Sequence, residues 1–499
     1  MKAGMKTGMK IGAGPISRRA LLAGSAAMGA VFLTRCESIS ETANPIGASR
    51  LPEGRFGVGE TVLTAAERPL LLAGQTDPIP AWVYGDAPFP VFRARINETM
   101  RVRLDNQLRE HTTIHWHGIR VPNAMDGVPY VTQTPVLPGM DFLYEFSPPD
   151  PGLFFFHPHC NTAEQFGRGL AGILIVEDES AAAFDDDIFC GLRDWRVDGE
   201  GNFLPFITNE GAGRAGTFGD LRTTNLQIAP DINVPAGADI RLRIANLDPT
   251  RNGEIGIDGA EAFVIAIDGN AVTPFPFTSW RLGPAMRLEL CVRTPSDGEA
   301  FRLLDYFSAE PVPLAGFHAR GAELRMVEFT PTALPPIRIP EPDIANATLH
   351  EMELSASAVA TQYPDLAPII LPDGRVINLL DSLCTSAETL WAVDGQTWPE
   401  QGHENAPPPI LRFARGETAY IEFFNSSRFP HPMHLHGHTF KVLSASELPR
   451  PVHWADTVLV MPDERVRIAF VADNPGNWML HCHIIEHQET GMMAWFQVT

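Results

Sequence analysis

The sequence predicts an all-β protein of three similar β-sandwich units. Three observations carry this: a strand-like segment that recurs three times, abundant turn-forming residues, and no sustained helical periodicity. The recurrent segment is Arg101-Val-Arg-Leu-Asp-Asn106 in the first third, Arg241-Leu-Arg-Ile-Ala-Asn246 in the middle and Ala419-Tyr-Ile-Glu-Phe-Phe-Asn425 in the last third. The first alternates apolar and polar residues, as a half-buried strand must, because successive side chains point to opposite faces. The 44 prolines and 42 glycines are spread over 499 residues, which suits many short strands joined by turns. No stretch has the strand–helix alternation of a parallel α/β sheet.

From the N-terminus, residues 1–40 are expected to be a targeting segment. Met1 to Gly14 carries lysines and no acid, Ser17-Arg18-Arg19-Ala20-Leu21-Leu22 follows, and an apolar stretch runs from Ala20 to Thr34. That stretch is too short to span a bilayer and suits the apolar part of a signal, so the mature protein is expected to have no membrane span. The paired arginines resemble a twin-arginine export signal, with a general secretory signal as the alternative. Cys36 raises a lipid-anchor alternative, but Arg35 before it is not the small residue such processing needs. Export places the protein in the periplasm or outside the cell.

The remaining chain divides into units at 50–178, 185–330 and 340–499, with Pro-rich Thr330-Pro-Thr-Ala-Leu-Pro-Pro336 leading to the third. Units of about 150 residues are a comfortable size for sandwiches. A hydrophobic content of 44% with 20% charged residues describes an ordinary soluble chain, and a monomer is expected. The net charge of −22 argues against nucleic acid, because phosphate binding needs clustered Lys and Arg. Six cysteines (Cys36, Cys160, Cys190, Cys291, Cys384 and Cys482) include no CxxC pair, and their pairing is not readable from spacing.

Ten of the 16 histidines fall in four clusters at matching places in the repeat. In the first third the recurrent strand leads to His115-Trp-His117-Gly118, and then Pro151-Gly152, four residues on, to His157-Pro-His159. In the last third it leads to His431, His434-Leu-His436-Gly437, and then Pro475-Gly476, four residues on, to His481-Cys482-His483, followed by His487. The middle copy has Gly256-Ile-Asp258-Gly259 where histidines would stand, so it is expected to be a spacer without ligands.

On a strand, His-x-His aims two imidazoles to one face, towards one metal or two neighbouring metals. If the outer units pack together, four such pairs supply eight imidazoles, enough for three coppers with oxygen species at the open positions. Cys482 points the other way. With His431 and His487 it completes the His₂Cys set of a blue-copper electron-transfer site, and Met492 stands where a weak axial ligand belongs, with Met493 beside it as the alternative. Such a cysteine is a thiolate, so Cys482 is not a disulfide candidate.

The motifs His115-Trp-His-Gly118, His157-Pro-His159, His431-Pro-Met-His-Leu-His-Gly437 and His481-Cys-His-Ile-Ile-Glu-His487 with Met492 resemble the four copper signatures of three-domain, laccase-like multicopper oxidases. The resemblance covers about residues 50–499 and implies three cupredoxin-like Greek-key β-sandwich domains. It implies four copper ions: one type 1, one type 2 and two type 3. His115 and His434 would hold type 2, His117, His157 and His483 one type 3, and His159, His436 and His481 the other. Asp126, in Met125-Asp-Gly-Val-Pro129, matches a catalytic carboxylate near the type 2 copper. Where several bacterial relatives carry Glu after the last histidine, this chain has Gln488, which cannot ionise. Asp194, Trp195, Glu486 and His438 are expected to be structural or to lie outside the ligand set.

The implied reaction joins four one-electron oxidations at the type 1 copper to reduction of dioxygen to two waters. Phenols and aromatic amines are the expected reductants. The rival is Cu(I), as in copper tolerance, but Gly321 to Pro409 contains only Met326 and Met352 and so has no methionine-rich insert. A non-enzymatic copper-binding or assembly protein is the alternative of another class, which loss of ligands would mark; none of the ten histidines or Cys482 is missing.

Overall fold

The computed structural model describes residues 50–57, 59–178, 183–356, 369–370, 376–377, 390–399 and 406–499; the leader, Cys36 and Cys384 lie outside them. The architecture is all-β, as expected, and its main sheets come in three pairs. In the first pair, Glu53–Arg55, Val91–Arg95, Gly172–Glu177, Gly152–His157 and His115–His117 form one sheet in that order. Ile79–Tyr84, Glu60–Leu70, Met100–Asn106 and Asp141–Phe146 form its companion. The last pair sets Thr418–Asn425 in one sheet and His431–Leu435 beside Gly476–Cys482 in the other.

The recurrent segment occupies the same structural place each time. Residues 101–106, 240–246 and 420–425 each run parallel to the first long strand of their sandwich and antiparallel to a later one. Each therefore sits inside its sheet, with both edges paired. Apolar residues of the two sheets meet between them: Val102 and Leu104 with Phe154 and Phe156, Leu242 and Ile244 with Phe301 and Phe317, Phe423 and Ile468 with Leu480 and Phe496.

A further apolar cluster joins the sandwiches, with Leu153 and Phe155 from the first, Ala245 and Leu247 from the second and Ile485 from the third. Strand parity thereby decides where each histidine points. Trp116 and Phe156 fill the first core, so His115, His117 and His157 face outwards from it. Met433, Leu435 and Cys482 fill the third core, so His434, His436, His481 and His483 face away, while His431 shares the core side with Cys482. Among the described residues Cys160, Cys190, Cys291 and Cys482 are buried and free of disulfides. No helix among those residues is long and apolar enough to cross a membrane.

Candidate metal centre

Residues far apart in the chain converge on one buried centre. His115, His117 and His434 bring a nitrogen each within 4.8 Å of one another, as do His117, His157 and His483, and again His159, His436 and His481. On the other side of the strand, His431, Cys482 and His487 form a fourth group. Every one of these side chains is essentially out of contact with solvent.

Hydrogen bonds settle which nitrogen faces inwards. A backbone carbonyl only accepts, so a ring nitrogen bonded to one carries the proton. Nδ1 of His115, His157, His434 and His481 donates to the carbonyls of Asp126 (2.8 Å), Pro158 (3.0 Å), Asp456 (2.8 Å) and Cys482 (3.0 Å). His436 Nδ1 lies 2.9 Å from Asp126 Oδ2. These five rings offer Nε2 lone pairs to the interior, where His434 Nε2 lies 3.4 Å from His115 Nε2 and His436 Nε2 3.1 Å from His481 Nε2.

In the fourth group, His487 Nε2 donates to Arg214 O (2.6 Å) and His431 Nε2 bonds Ser427 Oγ (2.8 Å). Both Nδ1 atoms therefore face the thiol: 3.1 Å separates them, and Cys482 Sγ lies 3.6 and 3.7 Å away. Burial drives the imidazoles of His117, His157, His434, His436, His483 and His431 well below their usual pKa, and His487 to about 3. The rings are thus neutral, the form that binds metal. Burial also pushes the Cys482 thiol up, so a cation is needed to make it a thiolate.

Among the described residues, His117 Nδ1, His157 Nε2 and both nitrogens of His483 have no hydrogen-bond partner. Buried polar atoms are seldom left so, and converging neutral lone pairs repel unless a cation sits among them. The donor set fits copper: imidazole in three triads, and imidazole with a soft sulfur in the fourth.

Comparison with known proteins gives the same answer. Residues 71–181, 207–311 and 383–499 match three family profiles, each described as multicopper oxidase. The chain is 30% identical over 440 residues to "Multicopper oxidase MmcO" of Mycobacterium tuberculosis, covering 82% of this chain and 81% of that one.

The chain belongs to the multicopper oxidase family.

It is a copper-dependent oxidoreductase with oxygen as acceptor. It resembles the crystal structure of a multi-copper oxidase from Pseudomonas thermotolerans with a TM-score of 0.78 and 35% identity, over 90% of this chain and all of that one. It is also 28% identical to Laccase-1 of Fomitopsis schrenkii, over 82% of this chain and 80% of the relative.

The remaining predicted residues of this multicopper oxidase are placed as follows. Asp126 is fully buried; Oδ2 holds His436, its carbonyl holds His115, and Oδ1 lies 3.3 Å from His115 Nδ1. Met492 lies in the same core as Cys482, whereas Met493 packs with Val128, Trp398 and Met479 in another cluster, which separates two residues that spacing left as alternatives. Gln488 is buried, with Nε2 3.5 Å from Thr162 Oγ1. Glu486 accepts from Thr208 N (2.9 Å) and Thr217 Oγ1 (2.8 Å), tying the helix Ile485–Glu489, which carries His487, to the middle sandwich. His438 Nδ1 bonds the His436 carbonyl, while Asp194 pairs with Arg251 and Arg222 and Trp195 fills apolar core. Motif reading missed Asp456, Arg287, Ser427 and the Arg214 carbonyl; none stands at a recognisable spacing from a ligand.

Proposed function

We propose that this oxidase carries four copper ions and couples one-electron oxidation of phenols or aromatic amines to reduction of dioxygen to water. The observation that carries the reading is the division of a single strand. Cys482 meets His431 and His487 inside the third sandwich, while its neighbours His481 and His483 meet two imidazole triads outside it. In this reading His431, Cys482 and His487 hold the type 1 ion with Met492 as weak axial donor. His115 and His434 hold type 2, His117, His157 and His483 one type 3, and His159, His436 and His481 the other.

Copper, when bound, supplies the one-electron steps and the place where oxygen is reduced. The chain supplies the rest. The Cys482 backbone joins the sulfur directly to two flanking imidazoles, which makes a short covalent route between the two sites. Burial of all eleven side chains excludes water, and it keeps His117, His157, His431, His434, His436, His483 and His487 neutral. Asp126 is the catalytic carboxylate of this proposal: Oδ2 orients His436 at 2.9 Å, and Oδ1 lies 3.3 Å from His115 Nδ1, so one carboxylate stands between two rings of the centre.

Domains at 50–178, 185–330 and 340–499 and export by a leader at 1–40 belong to the same proposal. An organic reductant is favoured over Cu(I) because, of the two methionines between Gly321 and Pro409, Met352 is buried in the third core while Met326 is exposed, so the two do not form a thioether site. Likeness to a fungal laccase supports the same choice. Oxygen uptake by copper-loaded protein decides it: turnover of a methoxyphenol well above that of Cu(I) is expected. Turnover of Cu(I) alone would overturn the substrate assignment.

A further inference from the structure

Among the described residues the middle sandwich contributes to none of the histidine and cysteine groups, yet one of its side chains bonds directly into the support of the centre. Arg287 opens the strand Arg287–Arg293 and is fully buried. All five of its guanidinium N–H groups are used. Nη1 donates to Asp456 Oδ1 (2.8 Å) and Ala285 O (3.2 Å), Nη2 to Asp456 Oδ2 (2.6 Å) and Asp268 O (3.1 Å), and Nε to Leu153 O (3.1 Å). One guanidinium thus bonds all three sandwiches: Leu153 from the first, Ala285 and Asp268 from the second, Asp456 from the third.

Asp456 carries this bond to the imidazoles. Its Oδ1 lies 3.0 Å from His117 Nε2, and its carbonyl accepts from His434 Nδ1 at 2.8 Å. Thr457 Oγ1 donates to Asp456 Oδ1 (2.8 Å) and lies 3.2 Å from His117 Nε2. Asp268 braces the same place, accepting from Arg287 N (2.8 Å) and Thr457 N (3.2 Å). His117 is therefore held by the opposite nitrogen from the five rings anchored through Nδ1. Its Nε2 is engaged and its Nδ1 is the unpartnered atom.

The room for this lattice is made by Gly118. At φ +83°, a Cβ there would lie 2.3 Å from Asp456 Oδ2 and 2.6 Å from Arg287 Nη2. Only glycine combines that backbone with that approach.

We propose that Arg287 is a positioning residue for the oxygen-reducing centre. By fixing Asp456 bidentately it sets the tautomer of His117, so that this ring presents Nδ1 to the metal. The inference rests on the four-copper reading above and adds to it a residue of the ligand-free sandwich. Lysine cannot replace Arg287, because a single ammonium makes no planar fork and satisfies at most three of the five acceptor contacts.

The test uses the full chain, loaded with copper, in wild type, Arg287→Lys, Arg287→Met and the double variant Arg287→Met/Asp456→Leu. The double variant removes Asp456, the bidentate partner, together with the arginine, and leaves only Asp268 (Oδ1 3.5 Å from Arg287 Nη1), which still accepts from Arg287 N and Thr457 N, so it serves if the single variants fail to fold. Loss of this support is expected to weaken copper binding at the trinuclear centre about 10- to 100-fold, in the range seen when outer hydrogen-bond partners of a metal ligand are removed. The blue absorption of the Cys482 site should persist, and electron paramagnetic resonance should show an altered or uncoupled signal from the remaining copper. Variants that fold, bind copper with wild-type affinity and give wild-type spectra would overturn the role of Arg287. A wild-type protein with neither blue absorption nor trinuclear copper would instead overturn the four-copper reading itself.

Discussion

Stripping the metal should make this protein acutely acid-labile, because its ligands are buried neutral bases. Nine imidazoles titrate in the folded state below the ordinary histidine range: six of the ligands lie well below it, His438 and His487 at about 3, and His453 at about 4. Burial is the leading cause in each. In the unfolded chain the same rings titrate at about 6.5. As pH falls below that value the unfolded state takes up protons that the folded apo-protein cannot, so stability is lost. Between pH 7.5 and 5.5 each ring removes at most a little over about 1 kcal/mol, and nine remove at most about 12 kcal/mol. Asp194 and Asp268 act oppositely: burial and a neighbouring carboxylate raise each to about 7. Each takes up its proton in the folded state and returns about 2 kcal/mol over the same window. The net loss, at most about 8 kcal/mol, reaches the range of the whole stability of a typical domain, about 5–15 kcal/mol. Bound copper opposes the change, because protons must first displace it. Urea unfolding of apo- and copper-loaded protein at pH 7.5 and 5.5 measures this. The apo-protein should be largely unfolded or near its midpoint at pH 5.5 while the loaded protein holds. Equal stability of the apo-protein at both values would refute the buried-neutral account of the ligands.

Three further outcomes are expected. Met492→Leu keeps volume and should cost less than about 1.5 kcal/mol, yet redox titration should find the blue site at a higher potential because a sulfur donor is gone; Met493→Leu should leave the potential unchanged. Asp126→Asn should slow return of the blue colour on adding oxygen by about 10² to 10⁴, with anaerobic bleaching by reductant unaffected, and Gln488→Glu should partly restore it. Stopped-flow absorbance separates the two phases, and slowed bleaching would move the proton role elsewhere. Replacing Arg18 and Arg19 by lysine keeps the charge, so fractionation should show lost export only if the pair is read as twin arginines.

Much of this was legible in the chain because the chemistry repeats with it. The recurrent strand ending in Asn106, Asn246 and Asn425 exposed the three sandwiches, since parity and turn residues are local signals. His-x-His clusters exposed the converging imidazoles for the same reason: period two on a strand puts both rings on one face, as His115 and His117 are. Two kinds of fact were not legible. Met492 and Met493 are adjacent, and only packing sends one to the Cys482 core and the other to Val128 and Trp398. Arg287, Asp456 and His117 meet across separations of 169 and 339 residues, and no spacing encodes such contacts. The middle sandwich therefore reads as a spacer in sequence, although its arginine is bonded into the centre.

The assignment of Cys482 admits the most direct measurement. Cys482→Ser, loaded with copper and compared with wild type by visible absorption, copper content and reductant oxidation, separates the two faces of the strand Gly476–Cys482. The serine faces the third core and leaves His481 and His483 in place, so the variant should lose the blue absorption and all reductant oxidation yet retain trinuclear copper. A variant that stays blue, or that still oxidises reductant, would contradict the account.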